Sequence, residues 1–149
     1  MTNNVTNNWA NAVTWGIVIV GWLVMHRMTL SRERRKEKRD ATNCIIDEIK
    51  AVGHLAITFH TSEKFNPQTS DILVWRVNRV IRTLQRLPLQ TLDIPLGLMV
   101  RFRKGITLRN TDASTFESQQ YHGDLIKGIR LVTDEILETI EKSRDKIFV

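Results

Sequence analysis

Residues 9–25 read WANAVTWGIVIVGWLVM, a run without any charged side chain in a chain of 149 residues. At a rise of about 1.5 Å per residue, a helix of this length extends about 25 Å. Crossing the hydrocarbon core of a bilayer takes about 17–25 mainly apolar residues. The long stem of Arg27 lets its guanidinium reach the membrane surface, which extends the apolar segment to Leu30. The sequence therefore predicts a transmembrane helix over residues 9–30, preceded by a short tail over residues 1–8.

A cleaved signal peptide and a buried helix of a soluble domain agree less well with the flanks of this apolar run. A signal peptide carries basic residues before its apolar core and small residues after it. Residues 1–8, MTNNVTNN, contain no basic side chain, and the run is succeeded by bulky, basic residues. A buried helix rarely presents so long an uncharged stretch, because one of its faces normally meets water. A membrane span is the better interpretation.

Basic residues flank only the C-terminal end of this span. They are Arg27, Arg32, Arg34, Arg35, Lys36, Lys38 and Arg39. Because cytoplasmic flanks are enriched in Lys and Arg, we expect residues 1–8 outside a plasma or inner membrane and residues 41–149 in the cytoplasm. Residues 31–40 then form a basic juxtamembrane stalk. The stalk predicts contact with anionic lipid, although the same charges also serve simply to stop translocation.

Apolar periodicity beyond the stalk indicates a helical core. The first predicted core face comprises Ile45, Ile49, Val52, Ala56 and Phe59, spaced by 4, 3, 4 and 3 residues. Such spacing places side chains on one face of a helix. No helix-breaking residue separates this face from the span, so one helix over about residues 9–60 is expected. The dipeptide Asn66-Pro67 is a turn signal that ends it.

Three more segments complete the predicted domain. Ser70 is expected to cap a second helix that ends by Pro88. Its core face is Leu73, Val77, Val80, Leu84 and Leu87. Pro95 opens a short third helix to about residue 108, or residues 98–108 form a strand that lacks a clear partner.

The last helix is expected to begin at a capping box formed by Ser114 and Glu117. Its predicted core face is Leu125, Ile129, Val132, Ile136 and Ile140. The predicted fold class is therefore all-α. A single N-terminal transmembrane helix continues into a small bundle of about three to four helices over residues 41–149.

The charges of this domain are segregated along the chain. Residues 71–110 carry 8 basic and 2 acidic side chains, whereas residues 111–149 carry 5 basic and 8 acidic ones. The basic residues in the middle are Arg76, Arg79, Arg82, Arg86, Arg101, Arg103, Lys104 and Arg109. We expect the arginine helix and the acidic last helix to face each other, either within the bundle or across a subunit interface.

No pattern of catalytic residues stands out in the sequence. It contains no glycine-rich phosphate loop, CxxC pair, HExxH motif or nucleophile elbow. The single Cys44 excludes an internal disulfide, and the spacing of His54 and His60 disfavours a shared metal. Asp112, with Arg109 and Asn110, forms a polar cluster more typical of turns than of catalysis. We therefore expect a non-enzymatic protein with no cofactor and no metal.

Three functions agree with these features. The first is a membrane-anchored helical protein that self-associates or recruits a cytoplasmic protein; the spacing of Ala12 and Gly16 also permits close helix packing. The second is a membrane-tethered protein whose arginines bind nucleic acid or another phosphate ligand. The third is an oligomeric effector whose spans line a pore. We favour the first because Phe102 is the only aromatic residue within the basic run after Trp75, which gives base stacking weak support.

Overall fold

The computed structural model describes residues 3–86, 94–107 and 111–148, which contain four α-helices and no strand. Helix α1 spans Asn3–Thr61, α2 Pro67–Arg86, α3 Leu96–Thr107 and α4 Asp124–Phe148. The prediction of an all-α chain with one long N-terminal helix and a small bundle is confirmed. The chain divides into two units, Met1–Ala41 and Thr42–Val149. We refer to the second unit as the helical domain.

Helix α1 continues without a break from Asn3 to Thr61, as predicted except for its earlier start. From residue 12 to residue 40, every side chain of α1 is exposed. One segment of the described chain is both long and apolar enough to cross a membrane, and it lies in this helix near the N-terminus. The predicted span is therefore an apolar helix surface that no other described residue covers.

The core of the helical domain is built from all four helices. The predicted face of α1, from Ile45 to Phe59, is buried together with Leu73 of α2, Phe102 of α3 and Ile136 of α4. Two glycines allow close helix contacts. A Cβ on Gly53 would lie 3.1 Å from Cγ2 of Thr133 in α4, and one on Gly105 would lie 3.2 Å from Cγ1 of Val132. A Cβ at either glycine would therefore require the Thr133 or Val132 side chain to shift by a few tenths of an ångström.

Helix α2 begins earlier than predicted, and Ser70 is not its cap. Asn66 is the cap instead, because its Oδ1 accepts a hydrogen bond of 3.1 Å from the backbone N–H of Thr69. Pro67 occupies the first helical position, where its missing N–H costs nothing. Ser70 lies inside the helix and donates its hydroxyl to the carbonyl of Thr111 at 2.9 Å. Of the predicted core face, Leu87 lies outside the described residues.

Helix α3 confirms the helical interpretation of its segment over the strand alternative. The carbonyl of Pro95 accepts hydrogen bonds from the N–H groups of Leu98 and Met99, at 2.9 and 3.3 Å. Leu98, Met99, Phe102 and Ile106 are buried at helical spacing.

The capping box predicted at Ser114 is wrong, since α4 begins only at Asp124. Asp112 uses the same residues for a turn: its Oδ1 accepts from the N–H of Ser114 and its carbonyl from the N–H of Thr115, both at 3.1 Å. That turn satisfies the backbone groups that a helix start would have used. Ile126, which the sequence did not indicate, is fully buried on α4, whereas Leu125 is only half-buried.

Candidate functional site

The arginine stripe of α2 lies on the side of the helix away from the core. Arg79, Arg82 and Arg86 are exposed and Arg76 is half-buried. The guanidinium carbon of Arg79 lies 5.3 Å from the ring centroid of Trp75, itself 53% exposed. Arg82 donates its Nε–H to the carbonyl of Asn78 at 3.3 Å. The stripe is therefore a surface feature held by local contacts on its own helix.

The arginines of α2 form no ion pair with α4 in the described part of the chain. The ion pair that joins the basic middle to the acidic helix comes from α3 instead, between Arg101 and Glu135. The predicted pairing of the arginine helix with the last helix is thus not seen within one chain among the described residues. The charge of α2 is left facing outward.

A groove separates α2 and α3 on this basic surface, with a volume of about 470 Å³. Ile81 and the buried Met99 form its floor. Leu96, 65% exposed, and Val100, 43% exposed, form its apolar wall. The described residues of the lining are Asn78, Ile81, Arg82, Gln85, Leu96, Met99, Val100 and Arg103. We call this the α2–α3 groove; it combines accessible apolar surface with two arginines, and its described lining contains no acidic residue.

The eight predicted basic residues do not form one site. Arg82 and Arg103 line the α2–α3 groove together. Arg101 and Lys104 line a different groove of about 390 Å³ on the other side of α3, where Asp124 and Glu135 of α4 also lie. Arg109 lies outside the described residues.

The apolar lining of the α2–α3 groove was not predicted from the sequence. Leu96, Val100 and Arg103 are spaced by 4 and 3 residues, which places them on one face of α3. That spacing could have identified an amphipathic outer face. The basic residues are the more evident feature of this segment, because the sequence does not show which of its leucines are exposed.

The outer face of α4 presents the opposite charge. Leu131, 68% exposed, is followed at spacings of 3, 4 and 3 by the exposed residues Asp134, Glu138 and Glu141. Lys142 holds the pKa of the Glu138 carboxyl below its ordinary value through a hydrogen bond and ion pair of 2.6 Å. We call these four residues the outer face of α4, an acidic ridge with the exposed Lys142 beside Glu138. Its first residue, Leu131, also lines the groove of about 390 Å³ between α3 and α4.

The juxtamembrane residues form a basic face of α1 in the first unit. A shallow surface of about 560 Å³ is lined by Arg27, Leu30, Ser31, Arg34, Arg35 and Lys38. The structure thus brings four of the seven predicted cations, Arg27, Arg34, Arg35 and Lys38, onto one surface of the helix.

His60 is the buried titratable group of the helical domain core. Its side chain is 1% exposed, and its Nε2–H donates to the carbonyl of Ile106 at 3.0 Å. Burial lowers the pKa of His60 below the ordinary value of 6.5, since it disfavours the imidazolium. No group of three metal-ligating side chains occurs among the described residues, and His54 is exposed. His60 therefore joins α1 to α3 as a structural residue.

We expect the stability of the helical domain to fall on acidification through His60. Above about pH 6.5 the imidazole is neutral in both folded and unfolded chains, so its contribution is constant. Below that pH the imidazole of His60 binds a proton in the unfolded chain but stays neutral in the folded chain. This difference persists until the pH reaches the lowered folded-state pKa. The free energy of unfolding should fall by up to about 1.4 kcal/mol per pH unit in this window.

Denaturant unfolding at a series of pH values measures this effect. His60→Gln should remove that part of the slope, whereas the matched variant His54→Gln, at an exposed position, should keep it. A wild-type slope that survives in His60→Gln would contradict the assignment.

Comparisons with known proteins give no relative for this chain. No protein-family model, no curated protein and no solved structure matches it. Function is therefore inferred from the two grooves, the outer face of α4 and the apolar helix.

Proposed function

We propose that this chain is a non-enzymatic, single-pass membrane protein whose helical domain acts in the cytoplasm by self-association. The observation that carries the proposal is the α2–α3 groove, an accessible apolar surface edged by arginines that have no carboxylate partner among the described residues. A surface of this composition is typical of protein interfaces, in which arginine and large apolar residues are enriched.

The exposed apolar surface of α1 supports the anchor. Residues 13–30 of α1 present large apolar side chains to the surroundings, including Trp15, Ile17 and Leu23. Such a continuous exposed apolar surface is unfavourable in water and favourable in lipid. The basic face at Arg27, Arg34, Arg35 and Lys38 supports contact with anionic lipid and a cytoplasmic location for the helical domain.

We expect the lone cysteine to report this topology. Cys44 is exposed and lies after the span, so a membrane-impermeant maleimide should label it only after the cells are permeabilised. Asn4→Cys in a Cys44→Ser background places the thiol before the span and should be labelled in intact cells. The measurement is the labelled fraction of each protein before and after permeabilisation. Labelling of Cys44 in intact cells would contradict the proposed orientation.

Self-association is tested on the full chain. Two copies with different affinity tags are co-expressed and solubilised in mild detergent, and one tag is used to capture the other. We expect recovery of the second copy, and recovery no greater than that of an unrelated single-pass protein would overturn the proposal.

Nucleic-acid binding is a second candidate, favoured by one observation. Trp75 is exposed beside Arg79, an arrangement on which a base could stack. It ranks lower because a phosphate backbone leaves the apolar lining of the groove uncovered. The detergent-solubilised chain should then retain single-stranded nucleic acid at about 50 mM salt and lose most of it at about 200 mM. Absence of binding at the lower salt concentration excludes this candidate.

A further inference from the structure

We propose that the occupant of the α2–α3 groove is the outer face of α4 from a second copy of this chain. This inference rests on the proposed self-association and adds the two surfaces that carry it. Because the groove has an apolar wall and a basic edge, its occupant must combine an apolar side chain with carboxylates on one face. The chain itself carries such a surface.

The two surfaces match in length and in the order of their groups. On α3 the groove runs from Leu96 to Arg103, and on α4 the ridge runs from Leu131 to Glu138. Each interval is seven residues, or about 10 Å of helix. With Leu131 against the apolar wall at one end, Glu138 reaches the arginine at the other.

The charges of the two surfaces are complementary. The groove has Arg82 and Arg103 in its lining and no carboxylate among its described residues. The outer face of α4 has Asp134, Glu138 and Glu141, all exposed, of which Glu138 is also paired with Lys142 of its own helix. Such pairs select the orientation of two surfaces more than they strengthen the contact, and Leu131 supplies apolar burial.

Among the described residues, no ion pair joins the two surfaces within one chain. The ion pair between α3 and α4 uses Arg101 and Glu135 of the other groove, whose edge Leu131 also lines. The large exposed fractions of Leu96 and Leu131, 65% and 68%, show that both surfaces remain uncovered in the isolated chain. A second copy anchored in the same membrane is held at high effective concentration, which favours even a small contact.

Charge reversal tests this contact directly. Variant A is Arg82→Glu with Arg103→Glu, and variant B is Asp134→Lys with Glu138→Lys. Copies of A should repel one another, as should copies of B, and we expect co-capture of like copies to drop about tenfold or more. We expect variant A to capture variant B as well as wild type captures wild type. The acidic groove of A then meets the basic outer face of α4 in B, and the native groove of B meets the native outer face of α4 in A.

A control variant and the comparison with wild type separate a failure of this inference from a failure of the proposed function. Arg79→Glu with Arg86→Glu changes the same charge on the same helix outside the groove and should leave co-capture unchanged. If wild-type copies associate and A and B each associate equally well, this inference is overturned while self-association stands. If wild-type copies do not associate, the proposed function itself fails. Restored capture in the mixture of A and B shows that both variants fold.

A disulfide between copies provides an independent readout. In a Cys44→Ser background, one copy carries Val100→Cys and the other Leu131→Cys. We expect a covalent heterodimer under mild oxidation when both are present, and none when Ile72→Cys, at another exposed apolar position, replaces Val100→Cys. Equal cross-linking from both positions would count against the assigned surfaces.

Discussion

Ile17→Asp combined with Val20→Asp is expected to release the chain from carbonate-washed membranes. Both side chains are exposed on the apolar part of α1, at 69% and 60%. An aspartate near the centre of a membrane helix costs about 2.5–3.5 kcal/mol on insertion scales, so the pair costs about 5–7 kcal/mol. Among the described residues, no second helix is long and apolar enough to lie beside this span in a membrane and shield these charges.

The measurement is the distribution of the protein between membrane and supernatant after carbonate extraction. The matched variant Ile17→Leu with Val20→Leu keeps the segment apolar and should stay with the membrane. Retention of the double aspartate variant would show that α1 is held by something other than lipid.

Phe59→Ala is expected to produce the largest loss of stability in the helical domain. Phe59 is 1% exposed, and its ring centroid lies 5.9 Å from that of Phe65 and 5.5 Å from that of Phe116. Truncating a buried phenylalanine costs about 3–5 kcal/mol, through lost apolar burial and the cavity left behind. For a domain of about this size the Tm should fall by roughly 10–20 °C.

Thermal unfolding of the full chain in detergent, followed by near-ultraviolet circular dichroism, gives this value. Ile72→Ala removes an aliphatic side chain that is 44% exposed and should change the free energy of unfolding by less than about 0.5 kcal/mol. A similar loss in both variants would mean that the burial of Phe59 is not the cause of its effect.

Much of the fold can be predicted from spacing in the sequence. The face from Ile45 to Phe59 was predicted residue by residue, because the core is read by helical periodicity and no breaker interrupts it. For the third segment the sequence leaves helix and strand open, although a strand lacks a clear partner, and the structure shows a helix. Helix starts were harder to predict. Asn66 and Asp112, like Ser70 and Ser114, have side chains that can accept a hydrogen bond from a nearby backbone N–H. The local sequence does not show which of them does so.

The sequence predicts the arginines of the candidate site but not the grooves that they line. Its arginines could be counted, but their division between two grooves depends on which side of α3 faces α2 and which faces α4. Arg103 and Lys104 are neighbours in sequence, yet they line different grooves. The exposed Leu131 was unremarkable in the sequence, because a leucine in an amphipathic helix is ordinarily assigned to the core.

The uninterrupted course of α1 has a consequence for the turnover of the protein. A protease cuts most readily in loops, where the backbone leaves its helical hydrogen bonds. Between residue 3 and Thr61 the described backbone offers no loop, and the first one, at residues 62–66, comes after α1 has supplied its core residues. Cleavage there would leave the first core helix attached to the apolar segment of α1 and separate it from α2, α3 and α4. Shedding of an intact domain therefore requires α1 to unwind, so the protein is expected to be degraded whole rather than released.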